Sequence, residues 1–303
     1  MEKTERIWLD GTLVPWDAAQ VHVLTHTLHY GLGVFEGIRC YQCHDGRSAI
    51  FRLREHVDRL FGSAHVLDLP IPYTREQIGA ACVETVRANR LRECYIRPIA
   101  FMGDGEMGLA ARTPTRVAIA AWPWGSYLGD EGMRSGIRVK TSSFARFHPN
   151  TLLTKSKAVG HYVNSILASR EARTGGYDEA LLLDVDGYVS EASGENIFIV
   201  TEGVVKTTPL PTVLGGITRH AVLRLLGDLG IPAHEERFTR DEVYLADEAF
   251  FTGTAAEVTP IRELDDRRIG DGTPGPVTRR LQELFFAVVR GREERHRSWL
   301  AYI

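Results

Sequence analysis

Long apolar runs are missing from the sequence, and this excludes one broad class of protein. No apolar stretch approaches the roughly 20 residues that a membrane-spanning helix needs. The first residues, MEKTERIWLDG, lack the order of charged and then apolar residues that is typical of a signal peptide. The expectation is a cytoplasmic protein that has no membrane partner.

Cysteine is scarce as well, with four residues in a chain of 303. So few cysteines do not form a disulfide framework in a chain of this length. Cys40 and Cys43 form a C-x-x-C pair, but a redox pair of this kind begins a helix. Here the pair lies on a predicted strand, so a redox role is the less favoured interpretation. The second C-x-x-C pair that a zinc site needs is missing, and no metal is expected.

An excess of charge of one sign is also lacking. The chain has 36 Lys and Arg against 39 Asp and Glu, a formal net charge of −3, and no basic face is evident. Nucleic acid is therefore not an expected partner. With 44% hydrophobic and 25% charged residues, and with no repeats, the chain has an ordinary globular composition. It is long enough for two domains that each have a core.

Residues 155–200 contain three side chains that suit one cofactor. Lys157 stands among small residues, Tyr162 follows five positions later, and Glu191 ends a predicted hairpin. Pyridoxal phosphate (PLP) needs an amine that binds it covalently, a donor to its phenolic oxygen and an anion that keeps its ring nitrogen protonated. From spacing alone, Lys155 is an equal candidate for the amine.

Seven motifs occur in one order along the chain: HYGxxVFEGIR, REHxxRL, YIRP, KAxxxY, GYxSExxGEN, GITR and GTAAEV. Together they resemble the class IV PLP-dependent aminotransferases, and within them the branched-chain amino acid aminotransferases. The resemblance covers residues 6–300 and selects Lys157 over Lys155, because the tyrosine follows Lys157 by five positions. The sequence departs from the family pattern at Val159, His161, Ala192 and Ser193.

The resemblance implies a two-domain class IV fold of the α+β or α/β type, with the cofactor at the domain interface. We expect a small N-terminal α/β domain over 1–125, a linker over 126–135 and a large C-terminal domain over 136–303 that carries the PLP lysine. The linker is rich in glycine and polar residues. The glycine-rich loop 103–108 is expected to reach a neighbouring subunit, which implies a homodimer or a hexamer.

Local patterns predict several elements of this fold. A hairpin is expected over 6–16, helices over 54–68 and 74–89, a buried strand over 94–102 and an amphipathic helix over 276–290. Thr74 and Gln77 form a capping box at the start of the second helix. Residues 28–43 are consistent with a strand interrupted by glycines. The last twelve residues carry no clear pattern.

The resemblance assigns the cofactor to a set of residues in which two anion sites stand out. Arg59 would bind the phosphate through its guanidinium fork, although its helix position alone is typical of a solvated arginine. Ile217 and Thr218 begin a helix after two glycines, which suits an anion or simply an ordinary helix start. The full cofactor set is Arg59, Lys157, Tyr162, Glu191, Ile217, Thr218 and Thr254.

The substrate pocket implied by the resemblance combines an apolar wall with one cation. Tyr95 and Arg97 alternate on one face of their strand. Arg97 would receive the distal carboxylate of glutamate, and its stem would cover the side chain of leucine. Residues 254–256 would offer N–H donors to the α-carboxylate, or form only a strand-to-turn transition. The full substrate set is Tyr30, Phe35, Gly37, Tyr95, Arg97, Trp124, Tyr127, Thr254, Ala255 and Ala256.

Trp124 and Tyr127 permit two interpretations. The resemblance places this aromatic pair over the mouth of the cofactor site. From the sequence alone, the pair could equally be structural packing where the small domain passes into the large one.

The activity implied by the resemblance is a reversible ping-pong transfer of the amino group between L-leucine, isoleucine or valine and 2-oxoglutarate. Lys157 would hold PLP and then act as the general base. Alternatives on the same fold are a D-amino acid aminotransferase, an R-selective amine transaminase and an aminodeoxychorismate lyase. A rival of another class is a catalytically silent PLP-binding protein. The motifs HYGxxVFEGIR and YIRP favour the branched-chain enzymes and a role in amino-acid biosynthesis.

Overall fold

The computed structural model describes residues 2–125 and 127–303, which group into two compact units. Unit 1 comprises the described residues of Met1–Gly125, Lys155–His161 and Val288–Ile303. Unit 2 comprises those of Ser126–Thr154 and Tyr162–Ala287. Within the described residues, no helix has both the length and the apolar character that a membrane span requires.

Seventeen strands and eight α-helices occur in the described chain. The strands are β1 (Arg6–Leu9), β2 (Thr12–Pro15), β3 (Gly33–Phe35), β4 (Ile38–Gln42), β5 (Ser48–Phe51), β6 (Cys94–Met102), β7 (Thr115–Trp122), β8 (Ile137–Thr141), β9 (Glu179–Leu183), β10 (Val189–Ala192), β11 (Asn196–Thr201), β12 (Val204–Thr207), β13 (Ala233–Glu235), β14 (Glu248–Gly253), β15 (Glu257–Leu264), β16 (Arg267–Arg268) and β17 (Leu300–Tyr302). The helices are α1 (His26–Tyr30), α2 (Leu53–Val66), α3 (Arg75–Ala88), α4 (Gly129–Ser135), α5 (Tyr162–Thr174), α6 (Ile217–Asp228), α7 (Arg240–Leu245) and α8 (Pro276–Val289).

Unit 1 is built on an eight-stranded sheet of antiparallel pairs. The strand order is β17-β5-β4-β6-β7-β1-β2, and β3 pairs with β6. The apolar faces of α2 and α3 supply Val57, Leu60, Ile78 and Val86 to its core. These residues recur at helical spacing, so each helix buries one stripe and leaves its opposite side polar.

Unit 2 is built on a nine-stranded mixed sheet of order β10-β9-β8-β15-β14-β11-β12-β13, with β16 paired to β15. The pairs β8–β9, β8–β15 and β12–β13 are parallel, and the others are antiparallel. Phe238 and Phe251 are among the fully buried residues of its core. Each unit therefore has its own sheet and its own apolar interior.

Two segments that are distant in sequence join unit 1 through backbone pairing. Residues 155–161 run beside β3, where Val34 bridges Ala158 and the Val159 N–H donates to the Gly33 carbonyl at 2.8 Å. Strand β17 pairs with β5. The structure thus groups Lys157 with the N-terminal residues, whereas the predicted domain boundaries assign it to the C-terminal domain. Those boundaries stay a prediction. The described part of the predicted linker contains α4.

Most of the predicted elements are confirmed. The β1–β2 hairpin, α2, β6 and α8 are present, and α3 begins with the predicted capping box. Residues 28–43 differ from the predicted glycine-interrupted strand, because the segment begins inside α1. Gly31 ends that helix in the left-handed conformation (φ 72°), and β3 follows.

Candidate active site

Lys157 is held through its backbone on both sides. Its N–H donates to Ser63 Oγ at 3.0 Å, and its carbonyl accepts the N–H of Phe35 at 3.1 Å. The amine Nζ lies 5.1 Å from the centroid of the Phe35 ring. Lys157 is half-buried, whereas Lys155 is exposed. The structure therefore gives the two lysines different surroundings, and Lys157 has the more restricted one.

Arg59 lies on α2, and its side chain is not solvated as the helix pattern alone indicated. Nε donates to Glu36 Oε1 at 2.7 Å, and Nη2 donates to Glu36 Oε2 at 2.9 Å. The side chain is 16% exposed, and Glu36 is fully buried. This fork-on-carboxylate pair fixes the plane of the guanidinium group.

His56, also on α2, completes the group around Glu36, with Nδ1 at 2.8 Å from Oε2. Burial alone would raise the pKa of Glu36, but the charge of Arg59 and the hydrogen bond with His56 outweigh it. They hold the pKa of Glu36 far below its ordinary range. Burial lowers the pKa of His56, so its neutral ring donates Nδ1–H to the Glu36 carboxylate.

Thermal stability is expected to fall between pH 7 and pH 5, in part through His56. Its folded pKa lies below the ordinary value of 6.5, so the unfolded chain binds more protons in this range. Stability is therefore lost as the pH falls through 6.5. His56→Gln keeps a donor but does not titrate, and its melting temperature should fall less over this range. His65→Gln, an exposed position on the same helix, is the control and should follow the wild type. Equal pH slopes for His56→Gln and the wild type would contradict the assignment.

Arg97 rests on aromatic rings. Its guanidinium lies 4.7 Å from the ring centroid of Phe35, 5.2 Å from that of Tyr95 and 5.9 Å from that of Trp122. Nη2 is 3.4 Å from the Tyr95 hydroxyl. Nε is buried, and no described residue accepts a hydrogen bond from it. A cation on π faces with an unused donor is suited to binding an anionic group.

Gly37 makes room for the Tyr95 side chain beside Arg97. A Cβ atom at position 37 would lie 1.7 Å from the Tyr95 hydroxyl oxygen. The Tyr95 ring packs edge-on against Trp124, with centroids 4.6 Å apart. The structure therefore brings Phe35, Gly37, Tyr95, Arg97 and Trp124 together in unit 1.

Tyr30 ends α1 and is 44% exposed. Its ring lies 4.5 Å from that of His26 and 6.3 Å from that of His29. These contacts do not test its place in the pocket wall, which stays a prediction.

Glu191 lies on β10 in unit 2 and is buried. Its carboxylate forms an ion pair with Arg146, with Nε and Oε1 2.8 Å apart. The Leu214 N–H and Asn196 Nδ2 donate to Oε2 at 3.3 and 3.4 Å. Arg146 Nη1 also donates to Asn164 and Ser165 in the first turn of α5, the helix that Tyr162 begins. Arg146 thus connects the Glu191 carboxylate to that helix.

The start of α6 combines a glycine with two buried residues. Gly216 is the N-cap, Ile217 and Thr218 form the first turn, and this first turn contains no acidic residue. A Cβ at Gly216 would lie 2.1 Å from Asn196 Oδ1, so this position accepts only glycine without rearrangement. The first N–H groups of a helix point out of its N-terminus and attract anions.

Residues 254–256 form the tight turn between β14 and β15, which is closed by the Gly253–Glu257 pair. Thr254 and Ala255 are half-buried, and Ala256 is buried. The Thr259 hydroxyl donates to the Ala256 carbonyl at 2.6 Å and braces the turn.

Tyr127 lies in another part of unit 2, where burial, followed by the charges of Glu195 and Glu179, raises its pKa. Its hydroxyl therefore stays protonated at neutral pH.

Comparison with known proteins identifies the family. The model of the family described as "Amino-transferase class IV" matches residues 33–264. The chain belongs to the class IV aminotransferases. A protein from Pseudomonas aeruginosa named branched-chain-amino-acid aminotransferase is 55% identical over 97% of this chain and 95% of its own length. The Escherichia coli K12 protein of the same name is 46% identical over 99% of this chain and 97% of its own length.

Solved structures agree with this assignment. The crystal structure of the E. coli branched-chain amino acid aminotransferase matches with a TM-score of 0.96 and 46% identity, covering 98% of this chain and 99% of that one. The branched-chain aminotransferase of Thermoproteus uzoniensis, solved with norvaline, matches with a TM-score of 0.94 and 47% identity, covering 99% of each chain. The resemblance inferred from the seven motifs and the class IV fold are both confirmed.

In this class IV aminotransferase, the sequence did not single out four polar neighbours of the predicted residues. These are Glu36, His56, Arg146 and Asn196. An acidic residue within the apolar run VFEGI is a usable signal for Glu36, because a buried carboxylate needs a partner. Arg146 lies in SSFARF, which has no feature that marks it.

Proposed function

We propose that the protein is a branched-chain amino acid aminotransferase. It transfers the amino group reversibly between L-leucine, isoleucine or valine and 2-oxoglutarate in a ping-pong reaction. One observation carries the substrate assignment: the Phe35 ring lies beside both the Lys157 amine, at 5.1 Å, and the Arg97 guanidinium, at 4.7 Å. An apolar wall next to the amine suits an aliphatic side chain, and the cation suits the distal carboxylate of glutamate. The names of the relatives support this proposal.

The residues present fit PLP as the cofactor. The N-terminus of α6, which Gly216 caps and whose first turn has no acidic residue, suits a phosphate, and the Arg59 guanidinium suits one as well. Structures of relatives were solved with pyridoxamine 5′-phosphate and with N-(5′-phosphopyridoxyl)-L-glutamate. The proposed cofactor set is Arg59, Lys157, Tyr162, Glu191, Ile217, Thr218 and Thr254. When bound, PLP supplies the electron sink for carbanion chemistry.

The protein's own residues have separate tasks in this proposal. Lys157 would hold the cofactor, and its Nζ would then act as the general base that removes the proton from the substrate Cα. Glu191 would accept a hydrogen bond from the ring nitrogen. Tyr162 would donate to the phenolic oxygen. The turn at 254–256 binds the α-carboxylate, and Tyr30, Phe35, Gly37, Tyr95, Trp124 and Tyr127 select aliphatic side chains while Arg97 accepts glutamate.

Half-reactions followed by absorbance test the function. L-Leucine and L-glutamate, each added alone to the holoenzyme, should remove the absorbance band of the bound cofactor, and 2-oxoglutarate should restore it. D-Alanine or an R-amine that removed the band instead would favour the alternatives on the same fold. A band that no amine changes would identify a catalytically silent binding protein.

Arg97→Ala is expected to separate the two half-reactions. Losing one charge-assisted interaction of about 1.5–3 kcal/mol should reduce kcat/KM for glutamate by about 10- to 100-fold. The value for leucine should fall less than that for glutamate, because leucine has no distal charge and loses only its contact with the aliphatic stem of Arg97. Arg116→Ala, which removes an arginine paired with Asp10 elsewhere in unit 1, is the control. Equal losses for the two substrates would contradict a pocket shared by both.

A homodimer or hexamer in the cytoplasm is part of the proposal. Apolar side chains in unit 1 support association, since Val23, Leu28 and Leu109 are 70%, 62% and 93% exposed. Leu109 follows the glycine-rich loop, whose Gly108 carbonyl is 3.0 Å from His26 Nε2. Light scattering of the purified protein would distinguish a monomer, a dimer and a hexamer.

A further inference from the structure

Helix α2 carries Arg59 of the proposed site and also contacts the backbone at Lys157. Arg59 and Ser63 are four residues apart and therefore lie on one face of the helix. Ser63 accepts the Lys157 N–H through its hydroxyl at 3.0 Å and the Ser156 hydroxyl through its carbonyl at 3.1 Å. The same helix face thus meets the backbone at Lys157 and, one turn earlier, presents the guanidinium of Arg59.

The end of β3 makes the matching pair of contacts from the other side. The Phe35 N–H donates to the Lys157 carbonyl at 3.1 Å, and the next residue, Glu36, accepts both bonds from Arg59. Glu36 itself is fixed, because its N–H donates to the Pro98 carbonyl on β6 at 2.8 Å. One dipeptide therefore sets the position of Lys157 and the orientation of Arg59 together.

The two bonds to Glu36 use a particular edge of the guanidinium. They involve the Nε–H and one N–H of Nη2. Of the five N–H donors of an arginine, the three others are on Nη1 and Nη2, at the end of the side chain. A carboxylate bound to the Nε edge thus fixes the direction in which the terminal edge points. The terminal edge is the one that can bind a phosphate through two parallel hydrogen bonds.

We propose that Glu36 is a positioning residue that orients Arg59 toward the 5′-phosphate of the cofactor at a fixed place relative to Lys157. This inference rests on the proposed function, in which Arg59 binds that phosphate. His56 supports Glu36 by donating its Nδ1–H at 2.8 Å to Oε2, the oxygen that also accepts the bond from Arg59 Nη2. Glu36 is fully buried, so it does not contact solvent.

The affinities of the apoenzyme for PLP and for pyridoxal, which lacks the phosphate, provide the test. We expect Glu36→Gln to weaken PLP binding by about 10- to 100-fold, because an amide cannot accept both bonds of the fork. Pyridoxal binding should change by less than about threefold. Glu55→Gln, on the same helix and paired with Arg52 at 2.6 Å, is the matched control and should leave both affinities unchanged.

The double variant adds an independent readout. If Glu36 acts through Arg59, then Glu36→Gln combined with Arg59→Gln should bind PLP no more weakly than Arg59→Gln alone. Additive losses would overturn the inference. A Glu36→Gln variant that binds PLP and pyridoxal with equally reduced affinity would also overturn it, because that result indicates a purely structural role. A Glu36→Gln variant that binds both compounds like the wild type would overturn it as well.

Two further outcomes keep the test decisive. If Glu36→Gln does not fold by circular dichroism, Glu36→Asp replaces it, since the shorter carboxylate keeps the charge but cannot reach both nitrogen atoms unchanged. A PLP preference that falls by at least about threefold in Glu36→Asp supports the inference, and an unchanged preference overturns it. A wild-type protein that binds pyridoxal as tightly as PLP would refute the phosphate role of Arg59 itself. If the wild type prefers PLP over pyridoxal and substitutions of Glu36 leave that preference unchanged, only the inference about Glu36 is refuted.

Discussion

Turnover of L-leucine and 2-oxoglutarate should be lost when Lys157 is replaced by alanine. The proposed base is then missing, which alone costs about 10²- to 10⁴-fold, and the covalent attachment of PLP is lost with it. The Lys157 N–H donates to Ser63 Oγ and the Lys157 carbonyl accepts the Phe35 N–H, and neither bond involves the lysine side chain, so the segment should keep its place. Steady-state rates, together with the cofactor retained after gel filtration, measure both effects.

Lys155→Ala is the natural control for this experiment. Lys155 is exposed and lies two positions from Lys157, so the same substitution is made in the same segment. We expect the Lys155→Ala variant to keep its activity and its cofactor. Full activity of Lys157→Ala, or inactivation by Lys155→Ala alone, would show that the amine is assigned to the wrong lysine.

Glu191→Gln should slow both half-reactions by at least about 100-fold. The proposed role of Glu191 needs a negative charge opposite the ring nitrogen, and glutamine keeps the shape but not the charge. Arg146, whose side chain is 11% exposed, would lose its charged partner as well. Single-turnover rates with L-leucine and with L-glutamate measure the loss, and it should be similar for the two substrates.

A second glutamate in unit 2 separates catalysis from general ion-pair loss. Glu263 on β15 pairs with Arg138 at 2.7 Å, so Glu263→Gln makes the same chemical change to another ion pair. That variant should react like the wild type. If Glu191→Gln also retained normal rates while still binding PLP, the proposed anchor for the ring nitrogen would be wrong.

Elements with a strong local pattern could be predicted from the sequence. The capping box of Thr74 and Gln77 begins α3, and the turn at Asp10-Gly11 joins β1 to β2, as expected. Helix α1 has only five residues, which is too short for a helical period to stand out. Strand β17 was missed because its pairing with β5 joins distant parts of the chain.

The candidate site also has a part that the sequence predicted and a part that it did not. The motifs supplied the residues with the chemical groups, among them Lys157 and Glu191, because each group belongs to a short recognisable string. Their partners depend on tertiary packing that no local pattern encodes. Arg146 meets Glu191 from the connection between β8 and α5, and the bridge from Val34 to Ala158 places the lysine segment in unit 1.

In the proposed substrate pocket, Gly37 limits which substitutions are possible. Any side chain at position 37 would meet the tip of Tyr95, and removing the hydroxyl alone does not help, since the ring carbon Cζ would still lie 2.6 Å from the new Cβ. Position 37 can therefore change only together with position 95, whereas Tyr95 can be replaced while Gly37 stays. A mutant library that varies position 37 alone would sample mostly variants with a steric clash, and joint randomisation of the two positions avoids it.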